Sequence, residues 1–255
     1  MYEIASKVEL NVFDAKVAPT RVGEFVVKNT APAVVVAPEL VAPFIVDRAN
    51  KRGFYKIIAA IDFPNGNNFA MQKVRDMGRD ALAADGFDIL LSLNKTTGET
   101  FNEVKSVTEF LKSLNQVAEI RWTLPHYTPV QKISDFLNAV KRCPQVTWVR
   151  LGHQLGDTTV QVGHYNGLIQ MVRQALPIPI KIGGNVTSET FDALSKDKGL
   201  RFDVTLDQVN ALIRAKEKPA AKAPEQPSAP KQEATAKTSE IDQETVVGEL
   251  GHDVE

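Results

Sequence analysis

Two cationic side chains accompany short apolar runs of the chain. Lys181 lies in the run at residues 178–182, and Arg150 follows the run at residues 146–149. A lysine amine whose pKa is lowered can attack a carbonyl carbon and form a Schiff base. An arginine guanidinium stays protonated, so it can bind an anion or pair with a carboxylate but cannot act as that nucleophile. Other polar residues and glycines at the ends of such runs are Asp62, Ser92, Asn94, Thr123, His153, Gly183 and Gly184.

The apolar runs indicate buried strands. They recur at residues 34–36, 57–61, 89–93, 120–124, 146–149 and 178–182, with further candidate strands at 8–13 and 201–204. Amphipathic stretches with apolar residues three and four apart lie between them, at residues 67–84 and 102–114. Thr128, Pro129 and Gln131 have the pattern of a capping box and predict another helix start.

This alternation of strands and helices predicts the fold. Strands that are apolar on both faces belong to a parallel sheet that is covered by helices on each side. About eight repeats within residues 1–214 fit a closed (β/α)8 TIM barrel, and a doubly wound open sheet is the alternative. The carboxyl ends of the strands form the functional site of a barrel, so we expect the polar side chains to converge there.

The totals restrict the classes of function. The net charge of −1 argues against a general nucleic-acid-binding protein, and no apolar run approaches the ~18 residues that span a bilayer. The amino terminus lacks the basic and apolar layout of a secretory signal. Cys143 is the only cysteine and the four histidines have no metal-ligand spacing, so we expect no disulfide, metal or cofactor. The sequence is typical of a cytoplasmic protein.

The composition changes near residue 215. Residues 216–237 are mostly Lys, Pro, Ala, Glu and Gln, and no aromatic residue follows Phe202. Such a segment buries too little apolar surface to offset its ordering entropy, so we predict that residues 215–255 form a disordered linker and tail. Residues 240–255 carry six acids and no Lys or Arg, interspersed with apolar residues. This end is either a peptide that docks on a protein partner or a solubilising tail.

Four segments resemble the class I deoxyribose-phosphate aldolase family. They are Ala-Val-Val-Val-Ala-Pro at residues 33–38, Ile-Asp-Phe-Pro-Asn-Gly at 61–66, Gly-Phe-Asp-Ile-Leu at 86–90 and Ile-Lys-Ile-Gly-Gly-Asn-Val at 180–186. The resemblance implies a TIM barrel that cleaves 2-deoxyribose 5-phosphate through a lysine Schiff base. It assigns proton shuttling to Asp88, the family's second lysine to Lys181, and phosphate binding to Gly183, Gly184 and Asn185.

The chain departs from the family pattern at three positions of this implied site. Arg150 stands where the family has its Schiff-base lysine, and residues 151–154 lack the hydroxyls that follow it. Asn185 stands where the family has the second glycine of its phosphate-binding pair. Asp203 lies in the segment that matches Gly-Ala-Ser in the family, and a carboxylate there repels phosphate.

Three functions therefore remain open. The favoured one is a divergent, catalytically inactive aldolase-like barrel, used as a structural or binding module and tethered through its tail. The second is an active carbon–carbon lyase with Lys181 as the Schiff-base residue and Asp88 beside it. The third is a protein that binds an anion or a sugar phosphate through Arg150. A buried Lys181–Asp88 ion pair and a pairing of Arg150 with Asp62 or Asp88 are the structural alternatives, and a homo-oligomer is left open.

Overall fold

The computed structural model describes residues 2–75, 82–125, 127–152 and 161–217. Within them, eight parallel strands form a closed barrel in the sequence order β1 to β8, and β8 pairs with β1. This closure confirms the (β/α)8 prediction and excludes the open doubly wound sheet. The strands are β1 Val8–Val12, β2 Ala33–Val36, β3 Lys56–Ile61, β4 Gly86–Leu90, β5 Glu119–Leu124, β6 Val146–Leu151, β7 Ile180–Ile182 and β8 Leu200–Val204.

Helices cover the outside of the barrel. They are α1 Tyr2–Ala5, α2 Pro19–Asn29, α3 Val41–Lys51, α4 Ala70–Arg75, α5 Thr97–Leu114, α6 Val130–Lys141, α7 Val162–Ala175, α8 Ser188–Leu194 and α9 Leu206–Glu217, with a 3₁₀ turn at Pro38–Leu40. The main hydrophobic core lies between these helices and the outward faces of the strands. None of the helices within the described residues is long and apolar enough to cross a membrane.

The inside of the barrel is divided between apolar and charged residues. Because successive residues of a strand face opposite sides, each strand sends one set of side chains to the helices and the other to the barrel axis. A small separate apolar cluster comes from β2 and β3 and consists of Ala33, Val35, Ile58 and Ala60. The interior positions of β1 and of β4 to β8 carry most of the buried charges.

Three predictions about helices need correction. The helix predicted for residues 67–84 begins only at Ala70, and its part at residues 76–81 lies outside the described residues. The helix predicted from residue 102 begins at Thr97, where Thr96 and Glu99 form a capping box. The capping box predicted at Thr128 is wrong, because the Thr128 hydroxyl donates to the Pro125 carbonyl and leaves α6 without a side-chain cap.

The last described helix ends at Glu217, three residues beyond the predicted barrel boundary. The predicted linker begins at residue 215, which is wrong for residues 215–217 because they belong to this helix. The rest of the predicted linker and tail, residues 218–255, lies outside the described residues, and so does His153. Among the described residues, no group of three or more His, Cys, Asp or Glu could hold a metal ion.

Candidate functional site

The register of the barrel places the candidate residues opposite one another on neighbouring strands. Glu9 of β1 lies opposite Asp203 of β8, and Arg150 of β6 lies opposite Lys181 of β7. Asp88 of β4 lies opposite a further cation, Arg121 of β5. Asp88, Arg150, Lys181 and Asp203 have no solvent-accessible surface, and Glu9 and Arg121 are also buried. These six residues, which we call the lumen charges, form the candidate site.

Lys181 is held by Glu9 and not by Asp88. Its Nζ pairs with Glu9 Oε2, and it also lies 4.8 Å from the centroid of the Trp148 ring. The expected Lys181–Asp88 pair is therefore wrong, because Glu9 reaches Nζ from β1. Burial lowers the pKa of Lys181, and the positive charge of Arg121 lowers it further, while Glu9 and Asp203 act in the opposite direction.

Glu9 links Lys181 to a second cation. Its Oε2 accepts a hydrogen bond from Arg121 Nη1 at 2.6 Å, and Arg121 Nε donates to Glu119 Oε1 at 2.6 Å. Burial alone would raise the pKa of Glu9, but Arg121 and Lys181 outweigh it and lower the pKa to about 2. Glu9 is therefore a carboxylate at neutral pH, and it favours the protonated form of Lys181.

Arg150 pairs with Asp203 inside the barrel. Its Nε contacts Asp203 Oδ2, and its Cζ lies 5.3 Å from the centroid of the Phe63 ring. The expected partners Asp62 and Asp88 are therefore wrong. The contact is an ion pair without a well-aligned hydrogen bond, since the guanidinium nitrogens of Arg150 and both carboxylate oxygens of Asp203 have no hydrogen-bond partner among the described residues.

The ionisation of Asp203 is set by burial. Burial raises its pKa to about 6, although Arg150 and Lys181 act to lower it, and the nearby Glu9 and Asp88 raise it further. An ion pair with arginine would by itself lower this pKa. The two effects oppose each other, and the loss of hydration dominates because no hydrogen bond to the carboxylate replaces the lost water.

Asp88 and Asp62 lie in two different clusters of buried polar residues. Asp88 Oδ1 accepts a hydrogen bond from the Thr123 hydroxyl, and its Oδ2 has no hydrogen-bond partner among the described residues. Asp62 instead pairs with the fully buried Lys73, whose Nζ lies 2.8 Å from Asp62 Oδ2 and 2.9 Å from Glu103 Oε1. This second buried cluster, which Ser92 joins through a 3.1 Å hydrogen bond to Glu103, lies apart from the lumen charges.

Neighbouring groups fill the space beside Gly183, the first residue of the glycine pair Gly183–Gly184. A side-chain Cβ at Gly183 would lie 2.7 Å from both Nε and Nη2 of Arg150, so the guanidinium already fills the space beside that glycine. Gly184 has a φ of +108°, which explains the need for glycine at the turn. Asn185 Oδ1 accepts a 3.2 Å hydrogen bond from Gln208 Nε2 of α9, so this amide joins β7 to the last helix.

The pocket beside Asp62 does not reach the lumen charges. It has a volume of about 320 Å³ and lies at the carboxyl ends of β2 and β3. Its lining includes Glu39, Asp62, Phe63 and three asparagines, and neither Lys181 nor Arg150 contributes to it. A substrate in this pocket would therefore not contact the candidate Schiff-base amine.

Glu9 and Arg121 are the site residues that the sequence analysis missed. Each interrupts an apolar strand, Glu9 within Val8–Val12 and Arg121 within Glu119–Leu124. A charged residue in the middle of a strand that is otherwise buried on both faces is the signal that could have revealed them.

No family model matches the chain, and no curated protein matches it significantly. Solved structures do resemble it. A putative deoxyribose-phosphate aldolase from Coccidioides immitis superposes with a TM-score of 0.70 at 14% identity, covering 84% of this chain and 86% of that one. The tetrameric deoxyribose phosphate aldolase from Aeropyrum pernix gives 0.72 at 15% identity, covering 85% and 93%. A putative deoxyribose-phosphate aldolase from Toxoplasma gondii ME49 gives 0.67 at 17% identity, covering 84% and 94%. At these identities the likeness establishes an aldolase-like TIM-barrel fold.

Proposed function

We propose that this chain is a deoxyribose-phosphate-aldolase-like barrel without Schiff-base catalysis, and that it serves as a binding or structural module with residues 218–255 as its tether. The observation that carries the proposal is the state of its two candidate cations. Lys181 and Arg150 are fully buried, and each is paired with a carboxylate, Glu9 and Asp203 respectively.

Schiff-base chemistry needs a neutral amine that a carbonyl carbon can approach. Glu9 stabilises the ammonium form of Lys181, and the Trp148 ring lies beside the same nitrogen. Arg150, at the position of the family's Schiff-base lysine, has a guanidinium that stays protonated and delocalised. Neither side chain offers the required nucleophile in this arrangement, which supports a non-catalytic role.

A lyase that uses Lys181 is the second candidate, and one observation favours it. Burial and Arg121 lower the pKa of Lys181, and a lowered pKa is what activates lysine nucleophiles. In this alternative, Asp88 would transfer protons, since one of its carboxylate oxygens has no hydrogen-bond partner among the described residues.

Binding of a phosphorylated ligand at the glycine pair has less support. The guanidinium of Arg150 fills the space beside Gly183, and Asp203 neutralises its charge. Asn185 is engaged with Gln208. An incoming phosphate would have to displace Asp203 from Arg150 while both are out of contact with water, which is unfavourable.

The deciding experiment is reductive trapping. The full chain is incubated with acetaldehyde or 2-deoxyribose 5-phosphate and sodium borohydride, and adducts are located by intact mass and peptide mapping. We expect no adduct on Lys181, while a class I aldolase treated in parallel is labelled. A stoichiometric adduct on Lys181 that is absent from Lys181→Met would establish the lyase and refute the non-catalytic proposal.

The assembly state is also a proposal. The Aeropyrum pernix structure is described as a tetramer, which supports a homo-oligomer for this chain. Sedimentation equilibrium of the full chain tests it, since a monomer at all concentrations would contradict it.

A further inference from the structure

A second pocket opens between the carboxyl ends of β1 and β8. Its volume is about 280 Å³, and the beginnings of α2 and α9 complete its wall. The lumen charges do not line it. Its position at the carboxyl face of the barrel is where this fold presents ligand-binding surfaces.

Asn11 lies in the lining of this pocket. It is 7% exposed, and its neighbours Leu10 and Val12 pack into the core beneath the helices, so the Asn11 side chain points to the opposite face of β1. Its Oδ1 has no hydrogen-bond partner within the described part of the chain. A buried carbonyl oxygen without a donor is unfavourable, and its presence on a residue that lines a pocket indicates a missing donor from a ligand or water.

The walls around Asn11 are mostly apolar. Phe13, Val17 and Leu206 line the pocket together with Val12 and Val22. Phe13 also packs against the partly buried ring of Phe63, with centroids 5.5 Å apart, which fixes one side of the wall. Pockets with apolar walls and few polar groups bind molecules with an apolar body and use the polar groups to orient them.

The charges at the pocket disfavour an anion. Asp14 and Asp207 contribute two carboxylates, and Arg21 contributes one guanidinium. One oxygen of Asp14 accepts the Lys16 amide at 2.9 Å, which holds this carboxylate in place. The acids outnumber the base, so a neutral or cationic ligand is preferred over phosphate or carboxylate.

We propose that this pocket binds a small molecule with an apolar body and a neutral or cationic N–H or O–H donor, which bonds to Asn11 Oδ1. The inference goes beyond the proposed function, because it uses neither Lys181 nor Arg150. The proposal does not depend on whether the barrel is catalytic. The result of reductive trapping therefore neither supports nor contradicts it, and the ligand experiment does not test Schiff-base catalysis.

Three probes with one apolar body test the choice of head group. The isotope-labelled full chain is titrated with 2-phenylethylamine, 2-phenylethanol and phenylacetate, and separately with inorganic phosphate, and amide resonances are followed by NMR. We expect the amine and the alcohol to shift resonances of β1, β8 and the Asn11 side chain. Phenylacetate should bind at least about tenfold more weakly, a difference of one hydrogen bond or more, and phosphate should leave these resonances unchanged.

Variants distinguish the contribution of the Asn11 acceptor to binding from that of the pocket volume. Asn11→Leu keeps a similar volume without the acceptor and should weaken binding of the amine and the alcohol about tenfold. Asn11→Asp keeps an acceptor and should strengthen binding of the amine. Val17→Trp fills the pocket and should abolish binding of all three probes. Asn67→Leu, at an exposed asparagine of the other pocket, is the matched control and should change nothing.

The proposal is overturned by any of three results. These are unchanged affinity in Asn11→Leu, preferred binding of phenylacetate or phosphate, and a pocket that holds only water, with no shift of β1 or β8 resonances at millimolar probe. If Asn11→Leu does not fold, the comparison of head groups on the unmodified chain and the Val17→Trp variant still decide between these outcomes.

Discussion

Glu9 is the residue on which the lumen charges depend most. It is the shared partner of Lys181 and Arg121, and both cations are buried with it. A buried charge is tolerated only while its partner is present, because its hydration has been lost. Removal of one partner is therefore expected to cost more than the pair itself contributes to stability.

The first prediction concerns the loss of this shared carboxylate. Glu9→Gln leaves Lys181 and Arg121 without their common counter-charge, so we expect the free energy of unfolding to fall by about 3–5 kcal/mol. Urea unfolding followed by circular dichroism measures it. Glu24→Gln, an exposed acid on α2, should change the value by no more than about 0.5 kcal/mol. Equal effects of the two substitutions would contradict this account of Glu9.

The second prediction is a pH dependence that comes from Asp203. Its pKa of about 6 in the folded chain lies above the ordinary value of 3.8, so between these values the folded state keeps a proton that the unfolded state has lost. The contribution of Asp203 to stability is therefore largest below the ordinary pKa and decreases as pH rises through the folded pKa, by about 3 kcal/mol in all.

Asp203→Asn isolates this contribution. Urea unfolding of both proteins between about pH 4 and 7 should show that the difference in unfolding free energy between variant and unmodified chain changes with pH across this window. Asp192→Asn, which removes a partly exposed carboxylate that pairs with Lys216 at 2.6 Å, is the control and should show a smaller change than Asp203→Asn. A constant difference for Asp203→Asn would show that its pKa is not raised.

The turn between β7 and α8 illustrates the constraints at the scale of elements. Gly183 follows β7 directly and approaches both the Arg150 guanidinium and the Gly152 carbonyl after β6. The close contact of these two strand ends leaves no volume for a side chain, and it holds the guanidinium against Asp203. The glycine pair thus serves the packing of strand ends in this structure.

The third prediction follows from that contact. A methyl group at Gly183 would lie 2.7 Å from the Gly152 carbonyl oxygen and from two guanidinium nitrogens. We expect Gly183→Ala to lower the free energy of unfolding by about 1–3 kcal/mol, the usual cost of overpacking. Gly98→Ala in the first turn of α5 has no heavy atom within 4 Å of the new Cβ and should be neutral or slightly stabilising. Denaturant unfolding of both variants measures this difference, and a neutral Gly183→Ala would contradict the tight packing.

The strands could be predicted because burial on both faces leaves a local signature in the sequence. The run at residues 120–124 falls within β5, and the run at 57–61 falls within β3. The partners of the site residues could not be predicted in this way. Lys181 meets Glu9 across 172 positions of sequence, and only closure of the barrel between β8 and β1 brings them together. A local pattern contains no information about such a contact, and the expected partner Asp88 came from the resemblance to the aldolase family.

At the scale of the whole molecule, the barrel closes within the described residues. All eight strands lie between Val8 and Val204, and α9 packs against β1 and α1. Val209, Leu212 and Ile213 of this helix are buried. Burial of three such side chains contributes roughly 5–9 kcal/mol, which is comparable with the whole stability of a typical domain. We therefore place the end of the folding unit after α9.

The fourth prediction tests that boundary. A chain that ends at Glu217 should keep the unfolding midpoint and denaturant dependence of the full chain, because every strand pair and the buried face of α9 remain. A chain that ends at Thr205 loses α9 and should not fold cooperatively. Circular dichroism and urea unfolding of the three lengths make the comparison. If the chain ending at Glu217 were less stable than the full chain, residues 218–255 would contribute to the barrel, and their proposed role as a tether would be wrong.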